Sequence, residues 1–307
     1  VFQDSYAYLE GYFRPSFHTT AEQMAAHILW LFPCLLALYA PTNTGLSTEP
    51  HWALTWETDT ILNTVESVYY DAQSGYLYTA NIEGHFLDKD GQGSISKVSV
   101  TGEIVERNWV SGLDAPTGLW VHEGKLYTTD IDRVHIIDIT EGTLVKTIPI
   151  PEAKALNDVT VSPEGIVYTS DTGGNALFAI DGETVTQLPL EVNSPNGLVA
   201  HQGGLLMSQW TPQDLCFIDL EAGTIIILGT GIPQADGVFA LEQGAYWVSS
   251  WGGEVHTVGD NQSVCLALSD MGEGVGAADV TYIPELKLAV VATFNQHSLR
   301  AYQVSIP

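Results

Sequence analysis

Glu66, Asn157, Asn196 and Asp236 carry oxygen donors, and each stands at the same point of a repeated pattern. Two carboxylates and two carboxamides suit a hard cation, which gathers roughly six to eight oxygens with water completing the shell. The column holds no sulfur and no histidine, which argues against zinc and copper. Calcium is the expected ion, with zinc, magnesium and manganese as alternatives. Thr117 and Ala278 fill the remaining two places. A carboxylate beside such an ion can orient or deprotonate a water, or attack a polarised substrate. Asp158, directly after Asn157, and Asp236 itself are the catalytic candidates; Asp279 follows Ala278 in the same way. Taken singly, Asn-Asp, Asn-Gly and Asp-Gly are also common turn pairs before a strand. Glu66 is not a turn residue, so the column as a whole favours a metal ring.

The elements that must position this column repeat six times. The units begin at Glu66, Pro116, Asn157, Asn196, Asp236 and Ala278, with a period of roughly 40 residues, the range of four-stranded propeller blades. Each has an apolar strand, a tight turn (Gly-containing in the first five), a second strand ending in small polar residues, and a third strand. A fourth follows in most, as at 143–148 and 184–188. One blade cannot bury both its faces alone, whereas six packed radially can, leaving a central channel. The alternating stretch Trp52–Glu57 precedes the first unit and is predicted to supply the outermost strand of the last blade. The predicted fold over 51–307 is therefore all-β, a six-bladed β-propeller with a central metal-binding channel.

A second column closes the second strands: Asn81, Asp130, Asp171, Gln209, Ser250 and Thr293. Ile82, Ile131, Thr172, Trp210, Trp251 and Phe294 follow it. These predict a substrate pocket of Thr117, Asp130, Asp171, Trp210 and Trp251, with His85 in a rim loop as an acid–base group. Blade-to-blade packing is the alternative for both tryptophans. His297 shares the rim. His122 and His201 precede turns at the opposite end and read as structural. The loop 84–93 contains Asp88 and Asp90 but lacks the spacing of a calcium loop, so it reads as an acidic turn. No nucleophile elbow, zinc-protease helix, phosphate loop or dinucleotide fingerprint occurs.

With 37 acidic against 10 basic residues, the formal charge is -27. Such a field repels nucleic acid and anionic membrane, so a small-molecule substrate is the expected partner. Cys34, Cys216 and Cys265 form no CxxC and read as free thiols, buried for the last two. The apolar run 28–40 has the length of a signal-peptide core and ends in Ala-Leu-Tyr-Ala. Residues 24–41 are thus expected to be a signal peptide or apolar helix, and 1–23 an upstream extension. Export to the periplasm or exterior follows, without membrane insertion after cleavage; a cytoplasmic protein follows if the segment is not a signal.

Glu66-Ser67 before an apolar strand, Asn157-Asp158, Ser194-Pro195-Asn196-Gly197 and Asp236-Gly237 together resemble the motifs of the SMP-30/gluconolactonase family, over roughly residues 55–307. Regucalcin, the paraoxonases and diisopropyl fluorophosphatase belong to that superfamily. The resemblance implies a propeller whose divalent ion sits on Glu66, Asn157, Asn196 and Asp236, with Asp158 beside the substrate, and hydrolysis of lactones or phosphotriesters. Two positions depart from it. Ala155 stands where sugar lactonases carry arginine, and Thr117 where paraoxonases carry histidine. The expected function is a divalent-metal-dependent lactonase or esterase. The alternative is a non-catalytic binding propeller, NHL-like or strictosidine-synthase-like.

Overall fold

A computed structural model describes residues 52–304 except 242, 243, 260, 270 and 273. The proposed extension 1–23, the segment 24–41 and Cys34 lie outside the described residues. The first strand, β1 (Trp52–Glu57), stands apart from the blade that follows it in sequence. Blade one is β2 (Val65–Asp71), β3 (Tyr76–Asn81), β4 (Gly93–Ser99) and β5 (Ile104–Leu113). Blade two is β6 (Pro116–His122), β7 (Lys125–Asp130), β8 (Arg133–Asp138) and β9 (Thr143–Pro149). Blade three is β10 (Leu156–Val161), β11 (Val167–Asp171), β12 (Ala176–Asp181) and β13 (Thr184–Gln187). Blade four is β14 (Pro195–His201), β15 (Gly204–Gln209), β16 (Asp214–Asp219) and β17 (Thr224–Thr230). Blade five is β18 (Ala235–Ala240), β19 (Tyr246–Ser250), β20 (Glu254–Val258) and β21 (Val264–Leu268). Blade six is β22 (Ala277–Ile283), β23 (Leu288–Thr293) and β24 (Ser298–Val304), completed by β1.

The ring closes as the sequence predicts. Strand β1 pairs antiparallel with β24, from Trp52 opposite Val304 to Glu57 opposite Arg300. The last blade thus joins both ends of the described chain. Trp52 anchors the closure, its ring 4.8 Å from Trp247 and 5.9 Å from Tyr302. The inner strands β2, β6, β10, β14, β18 and β22 each lie against the next, and β22 returns to β2.

The core is divided among the seams between blades. Val65, Val68, Leu77 and Val98 of blade one pack against Ile283, Val290, Ala292 and Leu299 of blade six. Burying such side chains stabilises by roughly 1.5–3 kcal/mol each, so every seam is a strong contact. The turn from first to second strand places Gly75, Gly124, Gly165, Gly203 and Gly244 at positive φ, where a side chain is disfavoured. In blade six Lys287 takes that place, at φ 53°.

The two described cysteines differ from each other. Cys216 is buried as expected, but Cys265 is exposed. Strand β21 is the outermost of its blade, and Cys265 and the adjacent Leu266 are both exposed there. No helix among the described residues is long and apolar enough to cross a membrane.

Candidate functional site

Every inner strand breaks register with its neighbour just where the oxygen column stands. The shifts fall between Val65 and Ser67, Pro116 and Leu119, Leu156 and Val159, Pro195 and Leu198, Ala235 and Val238, and Ala277 and Asp279. A bulge re-aims side chains that strict alternation would send to opposite faces. This is why adjacent residues such as Asn157 and Asp158 both act toward the channel.

A belt of hydroxyls fixes the backbone of the column. Thr129 donates to the Asn157 carbonyl, Ser170 to that of Asn196 at 2.6 Å, Ser208 to that of Asp236, and Ser249 to that of Ala278 at 3.1 Å. Each hydroxyl comes from the second strand of the preceding blade. Thr117 also donates to the Asn157 carbonyl, at 2.7 Å. Thr117 is therefore a spacer between blades two and three.

The four expected ligands come together from blades one, three, four and five. The Asn157 amide donates to Glu66 Oε1 at 3.4 Å, and the Asn196 side chain hydrogen-bonds Asp236. Glu66 is 7% exposed; Asn196 and Asp236 are 3% exposed. Burial, then the charges of Asp236, Asp279 and Asp158, push the Glu66 carboxyl well above its ordinary range, against the pull of the Asn157 amide. Burial, then Asp279 and Asp158, push Asp236 up likewise, with Asn196 opposing. Buried carboxylates repelling one another are costly unless a positive charge joins them.

The donor set fits a divalent cation. Asn196 Oδ1 is buried and has no hydrogen-bond partner. An orphaned amide oxygen beside two buried carboxylates is a free oxygen ligand. No group of three or more His, Cys, Asp or Glu side chains among the described residues is placed to hold a metal without help. An ion here needs the two carboxamides as well.

Asp158 and Asp279 sit one residue deeper, on opposite blades three and six. Asp158 Oδ2 accepts the Leu198 N–H at 2.7 Å, and Oδ1 accepts the Val159 N–H at 2.8 Å. Asp279 repeats the arrangement. Its Oδ2 accepts Val68 N–H at 3.0 Å and Ser67 Oγ at 2.7 Å, and its Oδ1 accepts Val280 N–H at 2.7 Å. Each carboxylate clasps the next blade. Burial, then Asp279, pushes Asp158 well up, and burial pushes Asp279 up to about 6. Both are half-buried and line the channel.

The second column has a different use from the expected pocket floor. Asp130 is 1% exposed; it accepts the Asp114 and Ala115 N–H groups and pairs with His135 at 3.0 Å. Asp171 is fully buried and accepts the Lys154 and Ala155 N–H groups. Gln209 accepts the Asn193 N–H, and Ser250 donates to the Pro233 carbonyl. In each case the residue ties down the loop that leads into its own blade. Trp210 and Trp251 are half-buried, 5.8 Å apart, and Phe294 lies 4.8 Å from Trp251, so an aromatic arc spans blades four to six. His85 lies in the long loop of blade one, beside Phe86 and 3.8 Å from Asp88. Phe86, Leu87 and Phe294 pack together on buried Ile82, Ala115 and Ile131. Lys89, in the acidic loop, pairs with Asp132 at 2.5 Å.

A cavity of about 400 Å³ occupies the other half of the channel. Tyr69, Trp120, Phe239 and Tyr282 help to line it, together with Asp158 and Asp279. None of Thr117, Asp130, Asp171, Trp210, Trp251 or His85 does. The fifth residue of each inner strand carried the missed signal: Tyr69, Trp120 and Phe239 are aromatic there, against Thr160, Val199 and Thr281.

Fold and ring define a six-bladed β-propeller with an oxygen-rich axial site. No protein-family model matches the chain, and no curated protein matches it. Solved structures do. A streptogramin B lyase is 14% identical with a TM-score of 0.57, covering 78% of each chain. A catalytically inactive variant of virginiamycin B lyase from Staphylococcus aureus, crystallised with quinupristin, is 13% identical with a TM-score of 0.58, covering 83% of this chain and 99% of its own. The selenomethionine-substituted enzyme is 12% identical with a TM-score of 0.57. At these identities the likeness is one of fold.

Proposed function

We propose that the protein is a divalent-cation-dependent hydrolase of a lactone or related ester, working at the ring on Glu66, Asn157, Asn196 and Asp236. One observation carries this reading: two buried carboxylates meet two carboxamides from four blades, and Asn196 Oδ1 is left without a partner. A scaffold propeller has no need of converging charges on its axis. Calcium is the ion best suited to all-oxygen donors. When bound, such an ion polarises a carbonyl and stabilises the developing oxyanion.

The chain's own groups do the rest. Asp236 is the base or nucleophile of this reading, because it stands on the ring itself, buried and hydrogen-bonded by the Asn196 side chain. Asp158 holds two backbone N–H groups and fixes the blade that carries Asn196. It is a positioning residue. The aromatic arc Trp210, Trp251 and Phe294 supplies apolar surface at the ring end. The substrate is a small molecule, and export through residues 24–41 is part of the same proposal.

The test is an assay of purified protein on lactones and phosphotriesters, with and without chelator, repeated with Asp236→Asn and Glu66→Gln. Activity indifferent to chelator and to both substitutions sinks the ring mechanism. If no divalent ion binds, a non-catalytic binding propeller replaces it. The structural neighbours are lyases by name. A ring-opened product carrying an alkene in place of added water would move the chemistry to elimination at the same ring.

A further inference from the structure

The far half of the axial channel differs from the ring in both wall and entrance. Its lining comes from the later positions of the inner strands and from turn residues Ala72, Pro284 and Glu285, so it opens on the face opposite the ring. Two aromatic pairs stand in its wall. Tyr69 and Trp120 meet edge to face at 5.3 Å on blades one and two, and Phe239 and Tyr282 meet edge to face at 6.1 Å on blades five and six. Asp158 and Asp279 form its floor, and exposed Glu285 stands at its rim. No lysine or arginine lines it. His201 does, and burial lowers the affinity of its imidazole for a proton, so it adds no positive charge at neutral pH.

We propose that this cavity is a binding site for a small organic cation, an amine or quaternary ammonium, held between the aromatic pairs with its charge toward the Asp158–Asp279 floor. The chemistry is that of an aromatic cage. Ring faces carry partial negative charge and attract a cation that sheds its water easily. Both oxygens of Asp158 and Oδ1 of Asp279 accept one backbone N–H each and keep a second lone pair, whereas Asp279 Oδ2 is filled by Val68 N–H and Ser67 Oγ. A hydrated metal ion has no use for four aromatic walls. The volume of about 400 Å³ lies within the size range of small-molecule sites.

The test is calorimetric titration of calcium-saturated protein with choline and with its carbon isostere, in which a tert-butyl group replaces trimethylammonium. Choline is expected to bind at least roughly tenfold more tightly than the isostere. Trp120→Leu should weaken choline by roughly tenfold, while Trp120→Phe retains most of the affinity. Glu285→Gln, an exposed rim change that leaves the packing alone, should weaken it about twofold. Equal binding of the isostere, indifference to Trp120→Leu and Glu285→Gln, or no choline binding in saturating calcium overturns the proposal. No ester or lactone enters the experiment, so its outcome does not depend on hydrolysis at the ring.

Discussion

The two ends of the axial channel are built on the same six strands and differ in what those strands present. At the ring end, buried oxygen donors converge, and the hydroxyls of Thr129, Ser170, Ser208 and Ser249 lock the backbone beneath them. At the far end, the same strands turn aromatic and open into a cavity. Between them, Asp158 and Asp279 belong to both ends: they clasp adjacent blades and line the cavity. A propeller can thus hold a rigid charged site and a roomier aromatic one on one axis, because each strand position contributes a separate layer.

The largest expected effect breaks one end and spares the other. Asp236→Asn or Glu66→Gln should lower kcat/KM by roughly a thousandfold, about 4 kcal/mol of transition-state stabilisation. Choline binding at the far end should survive both changes. Steady-state kinetics beside calorimetry measures the contrast.

Asp279→Ala removes the acceptor of two donors across the seam between blades six and one, Ser67 Oγ and Val68 N–H, and of Val280 N–H in its own strand. Hydrogen bonds to charged groups contribute about 1.5–3 kcal/mol each before relaxation, and lost repulsion offsets part of that. Calcium-loaded protein should lose about 3 kcal/mol in urea denaturation. A loss confined to Asp158→Ala would show that only the blade-three clasp matters.

Stability against pH tests whether an ion occupies the ring. The Asp279 carboxyl rises from its ordinary 3.8 to about 6 in the folded chain, so the folded state binds its proton more tightly than the unfolded one. That contribution is present below the unfolded pKa near 4 and is lost as pH rises through about 6. Glu66, Asp158 and Asp236 are shifted in the same direction. Chelated protein should therefore lose on the order of 2–3 kcal/mol between pH 4 and 7, counting Asp279 alone. Saturating calcium should flatten the curve. A Tm that rises with pH in chelator would contradict this account.

The smallest effect probes the aromatic arc. Trp210→Ala should raise KM for an apolar lactone about fivefold, from roughly 1 kcal/mol of lost contact, with kcat little changed. Choline affinity should stay the same, since Trp210 does not line the far cavity.

Much of this was legible from the repeats. Glu66, Asn157, Asn196 and Asp236 lie up to 170 residues apart in the chain, yet one alignment of six units places them at equivalent positions. The closing strand Trp52–Glu57 was legible too, because its alternation fits an outer strand and the last unit was one strand short. Asp130 and Asp171 were not. A carboxylate at a strand end looks the same whether it faces a substrate or the N–H groups of an incoming loop. Cys265 misled for a related reason: its apolar neighbours do not reveal that β21 is an outer edge.

The sequence by itself determined the number of blades, the order of the strands and the identity of the oxygen column. Periodicity and turn chemistry are local, and they repeat often enough to be read without coordinates. Only the tertiary structure decided which way adjacent side chains face. A bulge in every inner strand turns both members of Asn157-Asp158 inward, and the Leu198 N–H of the next blade then claims Asp158. It also decided that the channel has two unlike halves, because a cavity is the space left by six strands together and belongs to none of them alone.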